Sequence, residues 1–150
     1  MRQVKAANRF PTTRSRMAIA ETTADSLSAP PTVVIIDDDA AVTASLRFAL
    51  ETEGISVKDY QSAPALLADA DPRCTGCLVI DYLLPGTNGL ELLRTLRKMG
   101  VAAPAIIITT NPGSVLRGRV EAEGAEIIEK PLLGNALVEA IRASLTLWSR

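Results

Sequence analysis

The chain has 150 residues, 47% of them hydrophobic, and a mean hydropathy of +0.19, which suits one globular domain with a real core and leaves little room for a second. No apolar run approaches the ~18 residues needed to span a bilayer, so a soluble, cytoplasmic protein without a membrane partner is expected. Histidine is absent and only two cysteines are present, which argues against Ser-His-Asp and Cys-His catalysis, histidine-based zinc sites, a histidine phosphodonor and a disulfide framework.

The net charge of −1 hides an asymmetry. Residues 1–16 carry Arg2, Lys5, Arg9, Arg14 and Arg16 with no acid, so the remainder holds 11 basic and 17 acidic residues, a charge of −6. An acidic body is a poor direct partner for nucleic acid, whose binding relies on phosphate neutralisation. Residues 1–31 lack strong periodicity and end in Ser26, Ser28, Pro30 and Pro31, so they read as a disordered basic tail ahead of a domain over 32–150. The first stretch has the composition of an organelle transit peptide but no apolar segment or cleavage pattern. A leader or floppy arm, with Met17 as an alternative start, is the preferred reading.

The folded part alternates between two periodicities. Val33 to Ile36 is a continuous β-branched run, as in a strand buried on both faces. Val42, Leu46 and Ala49-Leu50 repeat at helical spacing through Glu53, where Gly54 stops the helix. Ile55 to Tyr60 alternates and predicts a more exposed second strand. Ser62 caps a helix over Ala63 to Ala70, ended by Asp71-Pro72-Arg73. Cys77 to Ile80 predicts the third strand. The loop from Asp81 to Gly89 holds four strong turn formers, too many for a simple connection. Leu90, Leu92, Leu93, Leu96 and Met99 mark a third helix closed by Gly100, and Ala105 to Ile108 a fourth strand. A weaker helix covers about Ser114 to Glu123, with Gly118 inside it. Ile127 to Glu129 predicts strand five, and Leu137, Ala140-Ile141 and Leu145 give the last helix its apolar stripe, ending near Trp148. Five β-α units predict an α/β fold, a doubly wound parallel sheet.

Four of the five strands end at a residue with phosphate or metal chemistry: Asp37-Asp38-Asp39, Asp81, Thr109 and Lys130-Pro131. In open parallel sheets ligands bind at the carboxyl edge where strand order reverses, which for order 2-1-3-4-5 lies between strands one and three. Asp37, Asp38 and Asp81 then share one crevice, where three carboxylates repel unless a cation sits among them. Oxygen-ligated Mg²⁺ is the natural occupant. Neighbouring strands lie ~4.8 Å apart, so a short hydroxyl suffices at Thr109, whereas only a long side chain such as Lys130 reaches in from strand five. A single Asp would explain a helix cap, the part expected of Asp39, but three directly after a buried strand do not. The CxxC spacing of Cys74 and Cys77 lacks a second pair and precedes a strand, so Cys77 reads as core. Tyr82 reads either as a cleft-lip residue controlling water access or as a solvent-facing aromatic.

Four stretches, VVIIDDDAAV, LVIDYLLPGTNGLELL, AIIITT and IIEKPL, together resemble a response-regulator receiver domain, similar to CheY and closer to FixJ-type receivers, over about residues 32–147. The resemblance implies a single-domain receiver with Asp81 as phosphoacceptor. It implies Mg²⁺ held by Asp38, Asp81 and the backbone carbonyl of Leu83, with Asp37 helping through bound water. Thr109 would be the switch hydroxyl, Lys130 would bridge to the phosphoryl group, and the Lys130-Pro131 bond would be cis. The implied donor is a phosphohistidine on a sensor histidine kinase. The output would be a downstream protein partner or phosphotransfer protein, met at the face of helix four, strand five and helix five, where a homodimer is also open. Such a protein is a switch, not a metabolic enzyme. Ile127 stands where receivers usually carry Tyr or Phe, Thr110 where Gly or Ala is common, and Leu132 where Phe is common. The segment from Thr109 to Lys130 is one residue short, which predicts a short or displaced fourth helix. Two alternatives stand beside this reading: a pseudo-receiver used unphosphorylated as an interaction module, and a haloacid-dehalogenase-like aspartyl phosphatase with Asp37 as nucleophile.

Overall fold

The computed structural model describes residues 31–69, 75–132 and 134–148. The basic tail, the Asp71-Pro72-Arg73 stop and Cys74 lie outside the described residues. Five parallel strands, β1 (Thr32–Ile36), β2 (Ser56–Tyr60), β3 (Thr75–Asp81), β4 (Ala105–Thr109) and β5 (Glu126–Glu129), form one sheet in the order β2-β1-β3-β4-β5. Between and after them run α1 (Ala40–Thr52), α2 (Ala63–Leu67), α3 (Gly89–Lys98), α4 (Ser114–Ala122) and α5 (Ala136–Trp148).

The alternation of strand side chains sorts the core into two clusters. Val34, Ile36, Leu78, Ile80 and Ile107 meet Leu66 of α2, Leu90, Leu93 and Leu96 of α3 and Val120 of α4. Val33, Ile35, Val79, Ile106 and Ile108 meet Leu46 and Leu50 of α1 and Leu137 and Ile141 of α5. Both faces are thereby covered, which is why the central strands are continuously apolar. Burying each such side chain contributes roughly 1.5–3 kcal/mol relative to leaving it exposed. Cys77 lies in the second cluster, fully buried, as expected of a core residue.

Local signals set most boundaries. Asp39 caps α1, its side chain accepting from the N–H groups of Ala41 and Val42 at 3.0 and 3.3 Å, Ser62 caps α2 and Asn88 caps α3. The helices before β2, β4 and β5 are followed by Gly54, Gly100 and Gly124 at φ of +82°, +95° and +74°, a conformation glycine adopts without steric cost. Three features depart from expectation. β3 begins at Thr75, two residues early, because Gly76 lets the backbone pass Pro31, whose Cβ would lie 2.3 Å from an added Cβ. Helix α2 ends at Leu67, where the Asp69 N–H turns to the carbonyl of Leu66 and the Asp69 carboxylate takes a 2.7 Å hydrogen bond from the Tyr60 hydroxyl. The turn-rich loop after β3 contains a small antiparallel ribbon, Leu83–Leu84 against Thr87–Asn88. α4 spans nine residues, close to the predicted range, with no side-chain cap and Val120 as its buried residue. Among the described residues no helix is long and apolar enough to cross a membrane.

Candidate functional site at the carboxyl edge of the sheet

Register brings the acids together. Ile36 of β1 pairs with Ile80 of β3, so Asp37, the next residue, stands beside Asp81. The backbone N–H of Asp37 is held by the carbonyl of Tyr60 at 3.1 Å, and its carboxylate Oδ1 accepts from the N–H of Asp39 at 2.9 Å. Ligand oxygens of Asp37, Asp38 and Asp81 all lie within 4.8 Å of one another. Asp37 is 1% exposed and Asp81 6%, while Asp38 faces solvent.

Lys130 enters from the far strand. Its backbone N–H donates to the Thr109 carbonyl at 2.8 Å, which fixes where the side chain starts. Its Nζ then lies 3.4 Å from Asp81 Oδ2 and 3.6 Å from Asp37 Oδ2. The Lys130-Pro131 peptide bond is cis, as the resemblance implied. Thr109 closes β4 and is 6% exposed. Leu83 stands two residues past Asp81 with its side chain 69% exposed, so anything it offers the site is main-chain.

One ammonium among three carboxylates leaves excess negative charge. Burial first, and then the neighbouring Asp37 charge, push the Asp81 carboxyl up to about 6, with Lys130 pulling the other way. Asp37 Oδ2 is buried and has no hydrogen-bond partner. With the Lys130 ammonium at 3.6 Å, beyond hydrogen-bond range, that buried oxygen is only partly compensated. A set of carboxylates with such an oxygen fits a hard, oxygen-ligated divalent cation.

The backbone around Asp81 is held tightly. The Tyr82 N–H donates to the Ile108 carbonyl at 2.8 Å, and the Gly89 N–H donates to the Tyr82 carbonyl at 2.7 Å. A Cβ on Gly89 would meet the Asp81 carbonyl oxygen at 2.6 Å, so the chain closes against the end of β3 only with glycine there. Gly89 was read from sequence as a turn former, and its close approach to Asp81 had no sequence signal. Tyr82 is half-buried against the cluster of α2, α3 and α4, which removes its reading as a solvent-facing aromatic. Ile127 packs on that same cluster, and Leu132 on the opposite one.

A family model described as the response regulator receiver domain matches residues 33–142. The chain belongs to that family. This receiver is 44% identical over 116 residues to the transcriptional regulatory protein FixJ of Azorhizobium caulinodans, covering 75% of this chain and 54% of that protein. It is 41% identical over 115 residues to the FixJ of Rhizobium meliloti, covering 75% and 56%. It therefore spans about half the length of the curated relatives it matches. Among solved structures it is similar to FixJ-N, with a TM-score of 0.67 at 36% identity, covering 79% of this chain and 95% of the other. It is also similar to a CheY-like receiver domain from Methanospirillum hungatei, with a TM-score of 0.72 at 26% identity, covering 81% and 98%. Receiver domains are regulatory switches, generally not enzymes, that bind Mg²⁺ at an acidic pocket and interact with sensor histidine kinases. This receiver carries an acidic cluster of Asp37, Asp38 and Asp81.

Proposed function

We propose that the chain is a phosphorylation-controlled switch or phosphorelay intermediate with Asp81 as its phosphoacceptor. A carboxylate oxygen of Asp81 attacks the phosphorus of a phosphohistidine on a sensor kinase. The phosphorus–nitrogen bond breaks as the acyl phosphate forms, and the departing imidazole keeps the electron pair and takes up a proton. The observation that carries this reading is the buried Asp81 carboxylate 3.4 Å from the Lys130 ammonium, beside a buried Asp37 oxygen that accepts no hydrogen bond.

Asp37, Asp38, Asp81 and the main-chain carbonyl of Leu83 would hold Mg²⁺, whose chemistry there is neutralisation of charge on the phosphoryl oxygens. Lys130, anchored through its backbone to Thr109, supplies a point charge to a phosphoryl oxygen. Thr109 supplies a short hydroxyl from the neighbouring strand. Asp39 holds Asp37 in place through its N–H while capping α1 through its side chain. Phosphorylation then shifts the population of two conformers and changes the surface of α4, β5 and α5, which a downstream protein or phosphotransfer partner reads.

Intact mass after incubation with Mg²⁺ and acetyl phosphate tests this. One phosphoryl adduct is expected on the wild type, lost with EDTA and absent from Asp81→Asn. No adduct, even with a panel of phosphorylated kinases as donors, would instead support use as an unphosphorylated interaction module. An adduct persisting in Asp81→Asn would move the nucleophile to Asp37.

A further inference from the structure

If Asp81 is the acceptor, a change at the end of β3 can reach α4 through the apolar packing on one face of the sheet. On β3, Leu78 and Ile80 face the cluster of α2, α3 and α4, and alternation carries Tyr82 to the same face, where it packs on that cluster. On β4, Ala105 and Ile107 face that cluster, so alternation places Thr109 there as well. On β5 the residues on that face are Ile127, opposite Ile107, and Glu129, opposite Thr109, the latter held in an exposed and therefore weak ion pair with Arg117 of α4 at 3.3 Å. Thr109 is thus flanked by Tyr82 on the β3 side and by the solvent-facing Glu129 on the β5 side, with Ile127 one step back beside Ile107.

Tyr82 and Ile127 differ in what they can transmit. Ile127 is β-branched and stiff at χ1. Tyr82 has its backbone pinned from both sides, by the Ile108 carbonyl and by the Gly89 N–H, so movement there falls to the ring. Tyr60, the other tyrosine on this cluster, ends β2, which lies beyond β1 and β3 from β4. The receiving element is weakly held: α4 has Val120 as its buried residue, half-buried Leu116 on the cluster, and no side-chain cap.

We infer that Tyr82 carries the state of Asp81 to α4, its ring repacking between the end of β3 and α4 when Thr109 turns toward the phosphoryl group. Tyr82 is a positioning residue in this inference, which rests on Asp81 being phosphorylated.

The test is hydrogen–deuterium exchange on the full chain, before and after phosphorylation with Mg²⁺ and acetyl phosphate, with intact mass reporting the adduct. In the wild type and in Tyr82→Phe, amides of residues 114–129 are expected to change their exchange on phosphorylation. In Tyr82→Leu the adduct still forms, but that change shrinks about threefold or more, while Ile127→Ala keeps it. An undiminished change in Tyr82→Leu, or its loss in Ile127→Ala, overturns the inference. Should Tyr82→Leu lose protection in β1 and β3 before phosphorylation, Tyr82→Met is judged by the same criteria in its place. A wild type that takes no adduct overturns the phosphoacceptor reading and this inference with it. An adduct with an undiminished response in the leucine variant overturns this inference alone.

Discussion

Asp81 ends a strand buried along its whole length, and its chemistry follows from that position. Its carboxyl is raised to about 6 from an ordinary 3.8 in the metal-free protein. Between those values the native state binds more protons than the unfolded chain, so stability falls as pH rises through this window. The contribution is fully present below about pH 4 and lost above about pH 6. Asp81→Asn removes the buried charge while keeping the shape. In EDTA at pH 7 that variant should be more stable than the wild type by about 1 kcal/mol or more, with the gap closing towards pH 4. Urea titrations of both proteins at pH 4.5 and 7 check this, and equal stabilities at pH 7 would contradict it. Asp37, Asp38, Asp81 and Lys130 were legible as a group because each ends or follows an apolar run at a chemically distinctive side chain. The half-buried position of Tyr82 was not, since one aromatic beside a loop carries no periodicity.

Among the elements, β1, β4 and β5 were legible as short β-branched runs, α1 as an amphipathic stripe with a cap and a closing glycine, and α3 as a stripe with a closing glycine, its Asn88 cap having been read only as a turn former. The ribbon between Leu83 and Asn88 was missed because two-residue strands leave no pattern, only turn formers. α4 covers the sheet with one fully buried side chain, Val120, and no side-chain cap. Gly118 lies within it, and an added Cβ there would meet nothing within 4 Å. Gly118→Ala is therefore expected to stabilise the protein by about 0.5–1 kcal/mol through lower backbone entropy in the unfolded chain and better helix propensity. Thermal or denaturant unfolding measures this, and a destabilised variant would mean that α4 depends on a conformation only glycine allows. The same uncapped helix, held by buried Val120 and half-buried Leu116, is the element that a modest signal from the site could shift.

At the scale of the molecule, two apolar layers hold a sheet whose middle strands project acids into one crevice. That placement costs stability in the absence of a cation, because carboxylates are brought within 4.8 Å of one another with one ammonium between them. A divalent ion binding only the folded state returns stability by mass action, about 2.7 kcal/mol at a hundred times its dissociation constant. Thermal melts at pH 7 should therefore rise in millimolar Mg²⁺ relative to EDTA. The rise should disappear in Asp37→Ala, and a rise of unchanged size there would place the ion elsewhere. The sequence by itself determined the alternating β-α order, the two-faced burial of the central strands and the identity of the strand-end residues, because these follow from local periodicity and side-chain chemistry. Only the tertiary structure decided that Ile36 lies opposite Ile80, that the Lys130 ammonium reaches both Asp37 and Asp81, that Gly89 must lack a Cβ, and that Tyr82 and Ile127 share one apolar cluster. Those are relations between residues far apart in the chain or on different faces. They are set by strand register and by which helix covers which face, quantities that no single segment encodes.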